Sequence, residues 1–242
     1  METNLDTRLP IYIQLRDQLA QKIAAQEWRP GSPVPTESEL ARSFGVAIGT
    51  VRKAIEALVN EGRLERFQGR GTFVRRAKFD GSLFRFFRFE SDTGDRVIPK
   101  SRILSRDVVQ PPSVVSHALK LAPGAQVIRM SRLRLVHDTP MLSEEIWLPF
   151  DLFQAFLAVK IDDLGDLLYP EYEQHCGHIV ASAHETLTVS TVDGLEARLL
   201  NLLGGTPVVV IERVAFGYDG QPLEWRRSRG PAKHFRYQVD IR

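Results

Sequence analysis

The first third of the chain is organised by the stretch Pro35–Val74, which reads PTESELARSFGVAIGTVRKAIEALVNEGRLERFQGRGTFV. Thr36 followed three residues later by Glu39 forms a capping box, in which the two residues satisfy free amides at a helix start. A helix is therefore predicted to begin at Glu37. Gly45 is predicted to end it, because a glycine just past the last turn adopts the left-handed conformation easily.

A second helix is predicted after a turn of three residues. Its apolar positions Val51, Ile55 and Leu58 recur at helical spacing and form a stripe that faces the first helix. The opposite face carries short or cationic side chains suited to a major groove and its phosphates: Gly49, Thr50, Arg52 and Lys53. This arrangement indicates a helix-turn-helix. The alternative is an ordinary helical hairpin with a solvated charged face.

The hairpin behind the second helix favours the first interpretation. Leu64–Phe67 and Thr72–Val74 are short strand-like runs. Turn-forming residues separate them, namely Gln68, Gly69, Arg70 and Gly71. Residues 63–78 hold six cations and one acid, and a glycine-flanked arginine at a hairpin tip is able to approach a DNA backbone closely. The hairpin is therefore predicted to be the wing of a winged helix-turn-helix.

Several linked motifs in this region resemble the GntR family of bacterial winged-helix regulators. They are a helix that starts with Pro10-Ile11-Tyr12, the run from Pro30 to Leu40, the Thr50-Val51-Arg52 step and the wing from Gln68 to Val74. The resemblance implies the DNA-binding domain of a dimeric repressor. It assigns contacts with the groove and the phosphates to Thr50, Arg52 and the region around Gly69.

The candidate DNA-binding residues are Thr36, Ser38, Gly49, Thr50, Arg52, Lys53, Gln68, Gly69, Arg70 and Gly71. The chain departs from the family pattern at two places. Many members carry arginine at the position of Ser38, and Ser-Arg or Thr-Arg at the positions of Ala47 and Ile48. The second departure removes a cation and a hydroxyl from the edge of the second helix. The family's usual operator core is therefore not assumed for this chain.

Composition and charge place the chain among globular proteins of one large or two smaller domains. It has 242 residues, 43% hydrophobic and 26% charged, with a formal net charge of +2. Residues 1–78 hold 13 Lys and Arg and 9 Asp and Glu, so the excess of positive charge lies in the predicted DNA-binding part. The expected organisation is a winged helix-turn-helix at residues 7–76, a linker at 77–94 and a second domain at 95–242.

Three observations bear on the compartment. Cys176 is the only cysteine, so no disulfide forms within the chain. The start, Met1–Asp6, has neither the basic nor the apolar segment of a signal peptide. No apolar run approaches the ~20 residues that a membrane helix needs. A cytoplasmic protein without a membrane segment is expected.

The rest of the chain has the pattern of an antiparallel α+β domain. Strands are predicted at residues 101–110, 127–137, 141–148, 208–218, 222–229 and 235–241, with short helices at 113–119 and 193–203. Asp193 with Glu196 marks the start of the second of these helices. The whole chain is thus predicted to be α+β, an N-terminal winged helix-turn-helix joined to a C-terminal antiparallel α+β domain.

Two neighbouring strands carry a candidate ligand site. A period of two places Arg132 and Arg134 on one strand face, and two adjacent arginines suit the capture of a phosphate or carboxylate. Glu144 on the next strand lies among apolar residues and needs a partner. The alternative is a structural salt bridge across the hairpin. Glu224, after a later turn, is a weaker candidate of the same kind. The segment 83–89 either docks on the surface of the second domain or contributes Arg85 or Phe86 to a ligand pocket.

This second domain resembles the UTRA effector-binding domain of the HutC subfamily of GntR regulators, which has a chorismate-lyase-like architecture. The matching features are Arg132-x-Arg134, Pro140, the segment 145–149, the turn 204–207 with Arg213, and Asp219-Gly220-x-Pro222-x-Glu224. The resemblance implies a pocket lined by the arginine strand and by Glu144 and Glu224, and known relatives respond to sugar phosphates, urocanate or other small metabolites. The family's usual Arg-Gly-Asp appears here as Arg229-Gly230-Pro231, so any role of that aspartate is lost.

Two other functions compete with this interpretation. The first alternative is an enzyme fused to a DNA-binding module, because a lyase has a related architecture. The sequence shows no pairing of a nucleophile with a base that would support it. The second is a metal site at His175-Cys176-Gly177-His178, which lacks a second ligand cluster. The sequence therefore predicts a metabolite-responsive regulator, a homodimeric repressor of a palindromic operator in double-stranded DNA, with a small anionic effector and neither a metal nor another cofactor.

Overall fold

The computed structural model describes residues 9–76 and 98–236. They fall into two compact units, residues 9–76 with 218–221 and residues 98–217 with 222–236. The expected linker at 77–94 lies outside the described residues. So do Arg85, Phe86 and the part of the last predicted strand that follows residue 236.

The N-terminal unit is built on three helices: α1 (Ile11–Ala24), α2 (Glu37–Phe44) and α3 (Ile48–Asn60). Helix α2 begins where the capping box predicts it: the amide of Glu39 donates to Thr36 Oγ1 at 3.2 Å, and the amide of Thr36 donates to Glu39 Oε2 at 2.8 Å. Gly45 ends the helix in the left-handed conformation with φ 64°. The buried residues of α3 include the predicted stripe: Val51, Ala54, Ile55 and Leu58.

The wing follows as the antiparallel strands β1 (Leu64–Phe67) and β2 (Gly71–Val74). The extended segment before α2 lies along the other side of β2. There the amide of Val34 donates to the carbonyl of Thr72 at 2.9 Å, and the amide of Val74 donates to the carbonyl of Ser32 at 2.9 Å. The wing is thus tied by backbone hydrogen bonds to the segment that leads into α2.

The C-terminal unit contains a six-stranded sheet in the order β3-β4-β5-β8-β7-β6. Its neighbouring strands are all antiparallel. The strands are β3 (Lys100–Val109), β4 (Val127–Val136), β5 (Thr139–Pro149), β6 (Ser182–Val192), β7 (Thr206–Phe216) and β8 (Pro222–Pro231). Strands β3 and β6 form the two edges.

Helices cover both faces of this sheet. They are α4 (Ser113–Ala118), α5 (Phe150–Phe153), α6 (Leu168–Cys176) and α7 (Gly194–Leu199), with 3-10 turns at Gln154–Ala158, Ile161–Asp163 and Ala232–His234. Helices α5 and α6 pack on one face over Met130 and Ile146, whereas α4 packs on the other over Trp147 and Trp225. No helix within 9–76 or 98–236 is long and apolar enough to cross a membrane.

The structure corrects some of the sequence predictions for this unit. The helix after Asp193 ends at Leu199, four residues earlier than predicted, and Asn201 turns to a positive φ of 53°. Asp193 does not cap it with its side chain, which instead accepts from the amide of Gly205 at 3.1 Å. Strand β6 and helix α6 were not predicted. Phe235 forms only a single bridge residue, and the strand predicted from it lies largely outside the described residues.

Candidate DNA-reading surface and effector site

The first turns of α3 present the face that the sequence assigned to DNA. Gly49, Arg52 and Lys53 are exposed, and Thr50 is half-buried. A Cβ atom at Gly49 would meet no heavy atom within 4 Å outside its chain neighbours and the backbone of its own helix, so this surface is open around the helix start. Beside it, a groove of about 380 Å³ is lined by Ile11, Tyr12, Ala47, Gly49, Thr50 and Lys53.

A carboxylate that the sequence analysis did not select lies next to this face. Glu37 Oε2 accepts from Arg52 Nε at 3.1 Å, and Glu37 Oε1 accepts from Arg66 Nη2 at 3.2 Å. Glu37 is the first residue of α2, Arg52 belongs to α3 and Arg66 to β1. One side chain therefore joins the two helices of the helix-turn-helix and the wing.

The wing tip has the conformation that its glycines predict. Gly69 and Gly71 have φ values of 73° and 108°, in the region that favours glycine. The guanidinium of Arg70 lies 5.6 Å from the ring centre of Phe67 and 5.9 Å from that of Phe73, and these two rings meet edge to face. Arg70 is exposed, as are Gln68, Gly69 and Gly71. Stacking of this kind holds the cation at the tip.

Thr36 and Ser38, the remaining candidates, are exposed near the start of α2. The hydroxyl of Thr36 accepts from the Glu39 amide and donates to Glu39 Oε2 at 2.8 Å. Its capacity for hydrogen bonds is thus largely used by the helix cap. Ser38 contributes its backbone carbonyl to Arg42 Nε at 3.4 Å, and its hydroxyl forms none of the hydrogen bonds described for this unit.

In the C-terminal unit, a cluster of polar side chains is buried on one face of the sheet. We call it the polar cluster, and it comprises Arg132, Arg134, Glu144, Arg213, Glu224, Arg226 and Ser228. The strand register brings these residues together: Arg132 lies opposite Glu144, Glu144 opposite Ser228, and Arg226 opposite Arg213. Four strands, β4, β5, β8 and β7, therefore contribute to one site, which adjoins the apolar core under α5 and α6.

Glu144 is the centre of one half of the polar cluster. Its Oε2 lies 2.5 Å from Arg132 Nη2 and accepts from Arg132 Nε at 2.7 Å. Its Oε1 accepts from Ser228 Oγ at 3.0 Å and lies 3.6 Å from Arg226 Nη1. The salt bridge across the hairpin, the structural alternative of the sequence analysis, is thus present for Arg132. Arg134 instead donates to the backbone carbonyl of Asp166.

Glu224 is the centre of the other half. It accepts from Arg226 Nη2 at 2.6 Å, from the Tyr172 hydroxyl at 2.7 Å and from the Tyr169 hydroxyl at 3.2 Å. Both tyrosines come from α6, so this helix closes the polar cluster as well as the apolar core. Arg213 pairs with Glu185 of the edge strand, with Nε to Oε1 at 2.8 Å.

Burial and mutual charge shift the pKa values of these groups. Burial opposes ionisation of Glu144, but Arg132 and Arg226 outweigh it and lower the pKa of this carboxyl to about 2. Burial, followed by the neighbouring charge of Arg132, lowers the pKa of Arg134 to about 10. Burial raises the pKa of the Tyr172 hydroxyl, and Glu224 adds to the rise. Glu144 is therefore ionised at neutral pH, and the Tyr172 hydroxyl remains a neutral donor.

The polar cluster contains buried guanidinium donors that have no acceptor among the described residues. It contains four guanidinium groups and two carboxylates, and Glu185 adds a third. Arg132 Nη1 and Arg226 Nε are buried without a hydrogen-bond partner within residues 9–76 and 98–236. A buried donor without an acceptor costs about 1–3 kcal/mol. An anion that supplied acceptors here would offset that cost and the excess of positive charge.

Sequence reasoning selected four of the seven residues of the polar cluster. Arg132, Arg134, Glu144 and Glu224 were selected, and the structure brings all four into the polar cluster. Arg226 and Ser228 were missed, although they follow Glu224 at the period of two that a strand places on one face. Tyr169 and Tyr172 were missed because their helix was not predicted.

The histidines around Cys176 take separate partners. His175 Nε2 lies 3.3 Å from Glu171 Oε2, and His178 Nε2 lies 2.9 Å from the carbonyl of Leu152. Within the described part of the chain, no group of three or more His, Cys, Asp and Glu side chains has the arrangement of a metal site.

Both regions match known families. Residues 11–74 match bacterial regulatory proteins of the gntR family, and residues 95–236 match the UTRA domain. The HTH-type transcriptional repressor NagR of Bacillus subtilis (strain 168) is 31% identical over 245 residues, which cover 99% of each chain. The mannosyl-D-glycerate transport/metabolism system repressor MngR of Escherichia coli (strain K12) is 31% identical over 222 residues, which cover 90% of each chain.

Solved structures share the fold. PhnF of Mycobacterium smegmatis has a TM-score of 0.56 at 23% identity and covers 96% of this chain and 99% of its own. YydK of Bacillus subtilis, a possible transcriptional regulator, has a TM-score of 0.55 at 19% identity, with coverage of 97% and 100%. Together with the exposed face of α3 and the wing, the matches lead to one conclusion. The chain belongs to the gntR family of bacterial regulatory proteins and is a metabolite-responsive, DNA-binding transcriptional repressor with a UTRA effector domain.

Proposed function

We propose that the repressor is a cytoplasmic homodimer that binds a palindromic operator and is released when a small anionic effector occupies the polar cluster. Residues 7–76 read the DNA, residues 77–94 link the two parts, and residues 95–242 bind the effector and dimerise. The observation that supports an anionic effector is the buried excess of guanidinium groups over carboxylates in the polar cluster. Two of the guanidinium donors, one on Arg132 and one on Arg226, have no acceptor among the described residues. Charge-assisted hydrogen bonds from arginine to a carboxylate or phosphate are stronger than those between neutral groups.

The names of two relatives agree with an effector of this chemistry. One is the repressor of a mannosyl-D-glycerate transport and metabolism system, and another is a probable repressor of fructoselysine utilisation in Escherichia coli (strain K12). A sugar derivative with an acidic group would place that group against the excess of guanidinium groups. The polar cluster is a binding site in this proposal and not a catalytic one, because its carboxylates already hold arginines and tyrosines.

For DNA, we propose that α3 enters the major groove and that the wing contacts the adjoining backbone. The reading set is Thr36, Ser38, Gly49, Thr50, Arg52, Lys53, Gln68, Gly69, Arg70 and Gly71. Arg52 is the strongest candidate for a base edge, since its side chain is 62% exposed at the open start of α3. Lys53 and Arg70 supply charge for phosphates.

Replacement of Arg52 by alanine should weaken binding to a DNA duplex that the wild-type protein selects from a random library. A well-placed arginine contributes about 1–3 kcal/mol of discrimination at a base pair, which corresponds to a loss of roughly 5- to 150-fold in specific affinity. Fluorescence anisotropy measures the affinities for the selected duplex and for an unrelated duplex, and the ratio of these two affinities is compared between the variant and the wild type. An unchanged ratio would remove Arg52 from the reading set.

We propose that the edge strand β6 forms the interface of the homodimer. Among the described residues, β6 pairs only with β7, which leaves one side of its backbone without strand partners. Residues 186–191 read TLTVST, are all exposed and carry no charge, with Val189 70% exposed. The other edge, β3, carries Lys100, Arg102 and a register shift between Ile103 and Ser105, features that protect an edge from pairing. Antiparallel pairing of β6 with its copy closes a two-fold dimer.

Val189→Lys is therefore expected to dissociate the dimer, because it places a charge in the shared edge. The molar mass from light scattering should fall towards that of one chain, 27.4 kDa. Val108→Lys is the matched control, since Val108 is an exposed valine on the opposite edge strand. Dissociation by Val108→Lys alone would place the interface at β3 instead.

A further inference from the structure

The carboxylate of Glu37 occupies the junction of three elements in the N-terminal unit. Its Oε2 accepts from Arg52 Nε at 3.1 Å and lies 3.1 Å from Arg52 Nη2. Its Oε1 lies 3.2 Å from Arg66 Nη2. Both oxygens are thus engaged, one by the helix α3 and the other by the wing strand β1. Glu37 itself is fixed by its position in the first turn of α2, beside the capping box.

An acidic side chain is an unexpected residue on a surface that binds a polyanion. It repels phosphates and lowers the affinity that neighbouring cations supply. Its contribution to folding is also small, because the side chains of Arg52 and Arg66 are 62% and 42% exposed and exposed ion pairs stabilise little. Neither phosphate affinity nor stability accounts for a carboxylate in this place.

The geometry of the Arg52 guanidinium gives a third role. A guanidinium has five N–H donors in a planar fork. Glu37 engages the edge formed by Nε and Nη2, and this leaves the edge formed by Nη1 and Nη2 for a second planar partner. A guanine presents N7 and O6 to such an edge. An arginine that is already held in one orientation loses less side-chain entropy when it binds.

We propose that Glu37 is a positioning residue for sequence recognition. It fixes the guanidinium of Arg52 against α2 and, through Arg66, ties the recognition helix to the wing, so that both cations meet the DNA as one rigid unit. This inference rests on the proposed role of Arg52 in reading a base edge. Glu37 raises discrimination between sequences and lowers the affinity for DNA in general.

The test uses the full-length protein, a duplex that the wild type selects from a random library, and an unrelated duplex of equal length. In Glu37→Gln the negative charge is lost, so the unrelated duplex should bind more tightly. The selected duplex should gain less or bind more weakly, because Arg52 is no longer held. The ratio of the two affinities is expected to fall about tenfold. Glu37→Asp keeps the negative charge but has a shorter side chain that no longer reaches Arg52. The ratio of the two affinities should therefore also fall, whereas the affinity for the unrelated duplex should not increase.

Glu56→Gln is the matched control. Glu56 is an exposed carboxylate on α3 that forms no ion pair within the described residues, so its removal should tighten both duplexes alike and leave the ratio unchanged. In an Arg52→Ala background, Glu37→Gln should have no further effect on the ratio. Melting temperatures measured beside these affinities should stay within a few degrees of the wild type for both glutamine variants.

Three results would overturn the inference. The ratio in Glu37→Gln could stay at the wild-type value, it could change no more than in Glu56→Gln, or it could fall further in the Arg52→Ala background. A failure of the proposed function gives a different result, since Arg52→Ala alone would then leave the ratio unchanged.

Discussion

Glu144→Leu should destabilise the C-terminal unit by about 3–5 kcal/mol, because it leaves the buried guanidinium of Arg132 without its partner. The two side chains are 0% and 2% exposed, so water does not replace the lost carboxylate. Urea unfolding followed by tryptophan fluorescence measures the change, since Trp147 and Trp225 both lie in the sheet of this unit.

The double variant Arg132→Met with Glu144→Leu is the control for this prediction. It removes both charges, and well-packed apolar side chains replace a buried pair with little loss of stability or with a gain. The pH dependence gives a second check. The folded pKa of Glu144 is lowered to about 2, so its contribution is present above the unfolded pKa and is lost as the pH falls towards 2. That acid-dependent loss should be smaller in the double variant. A single variant as stable as the wild type would contradict the account of the pair.

Arg134→Met should abolish the response to the effector while specific DNA binding remains. Arg134 is only 1% exposed and belongs to the polar cluster, and methionine fills a similar volume without the charge. The effector class is found by thermal-shift screening with sugar phosphates, imidazole carboxylates and small organic acids. A ligand at 100 times its Kd stabilises its site by about 2.7 kcal/mol.

Arg129→Met is the control for Arg134→Met. Arg129 lies on the same strand but on the opposite face, where it pairs with Glu145 and stacks on Trp147. It should leave the thermal shift unchanged. If Arg134→Met keeps the full shift with the ligand that stabilises the wild type, the polar cluster is not the effector site.

Local signals were sufficient for most of the N-terminal unit. The start of α2 follows from Thr36 and Glu39, which contact each other across one turn, and its end follows from Gly45. The wing follows from glycines at positive φ. Each of these features depends on residues a few positions apart, so the sequence carries them without knowledge of the tertiary structure.

The C-terminal unit was predictable only in part, because its site is assembled from distant segments. Strand β6 is an edge strand with most of its residues exposed, so no apolar stripe marks it, although its run of β-branched residues was a usable signal. Arg134 donates to the carbonyl of Asp166, 32 positions away, and Glu224 accepts from Tyr172, 52 positions away. Such pairs depend on the strand register and on the position of α6, and the sequence pattern predicted neither of them.

We propose that occupation of the polar cluster by the effector releases the DNA. The direct measurement is a titration of the selected duplex with the full-length protein, with and without a saturating concentration of the ligand found by thermal shift. A coupling free energy of roughly 1–3 kcal/mol predicts a 5- to 150-fold loss of affinity for the duplex. The loss should be absent in Arg134→Met. An unchanged affinity in the wild type, with the ligand bound, would contradict the claim.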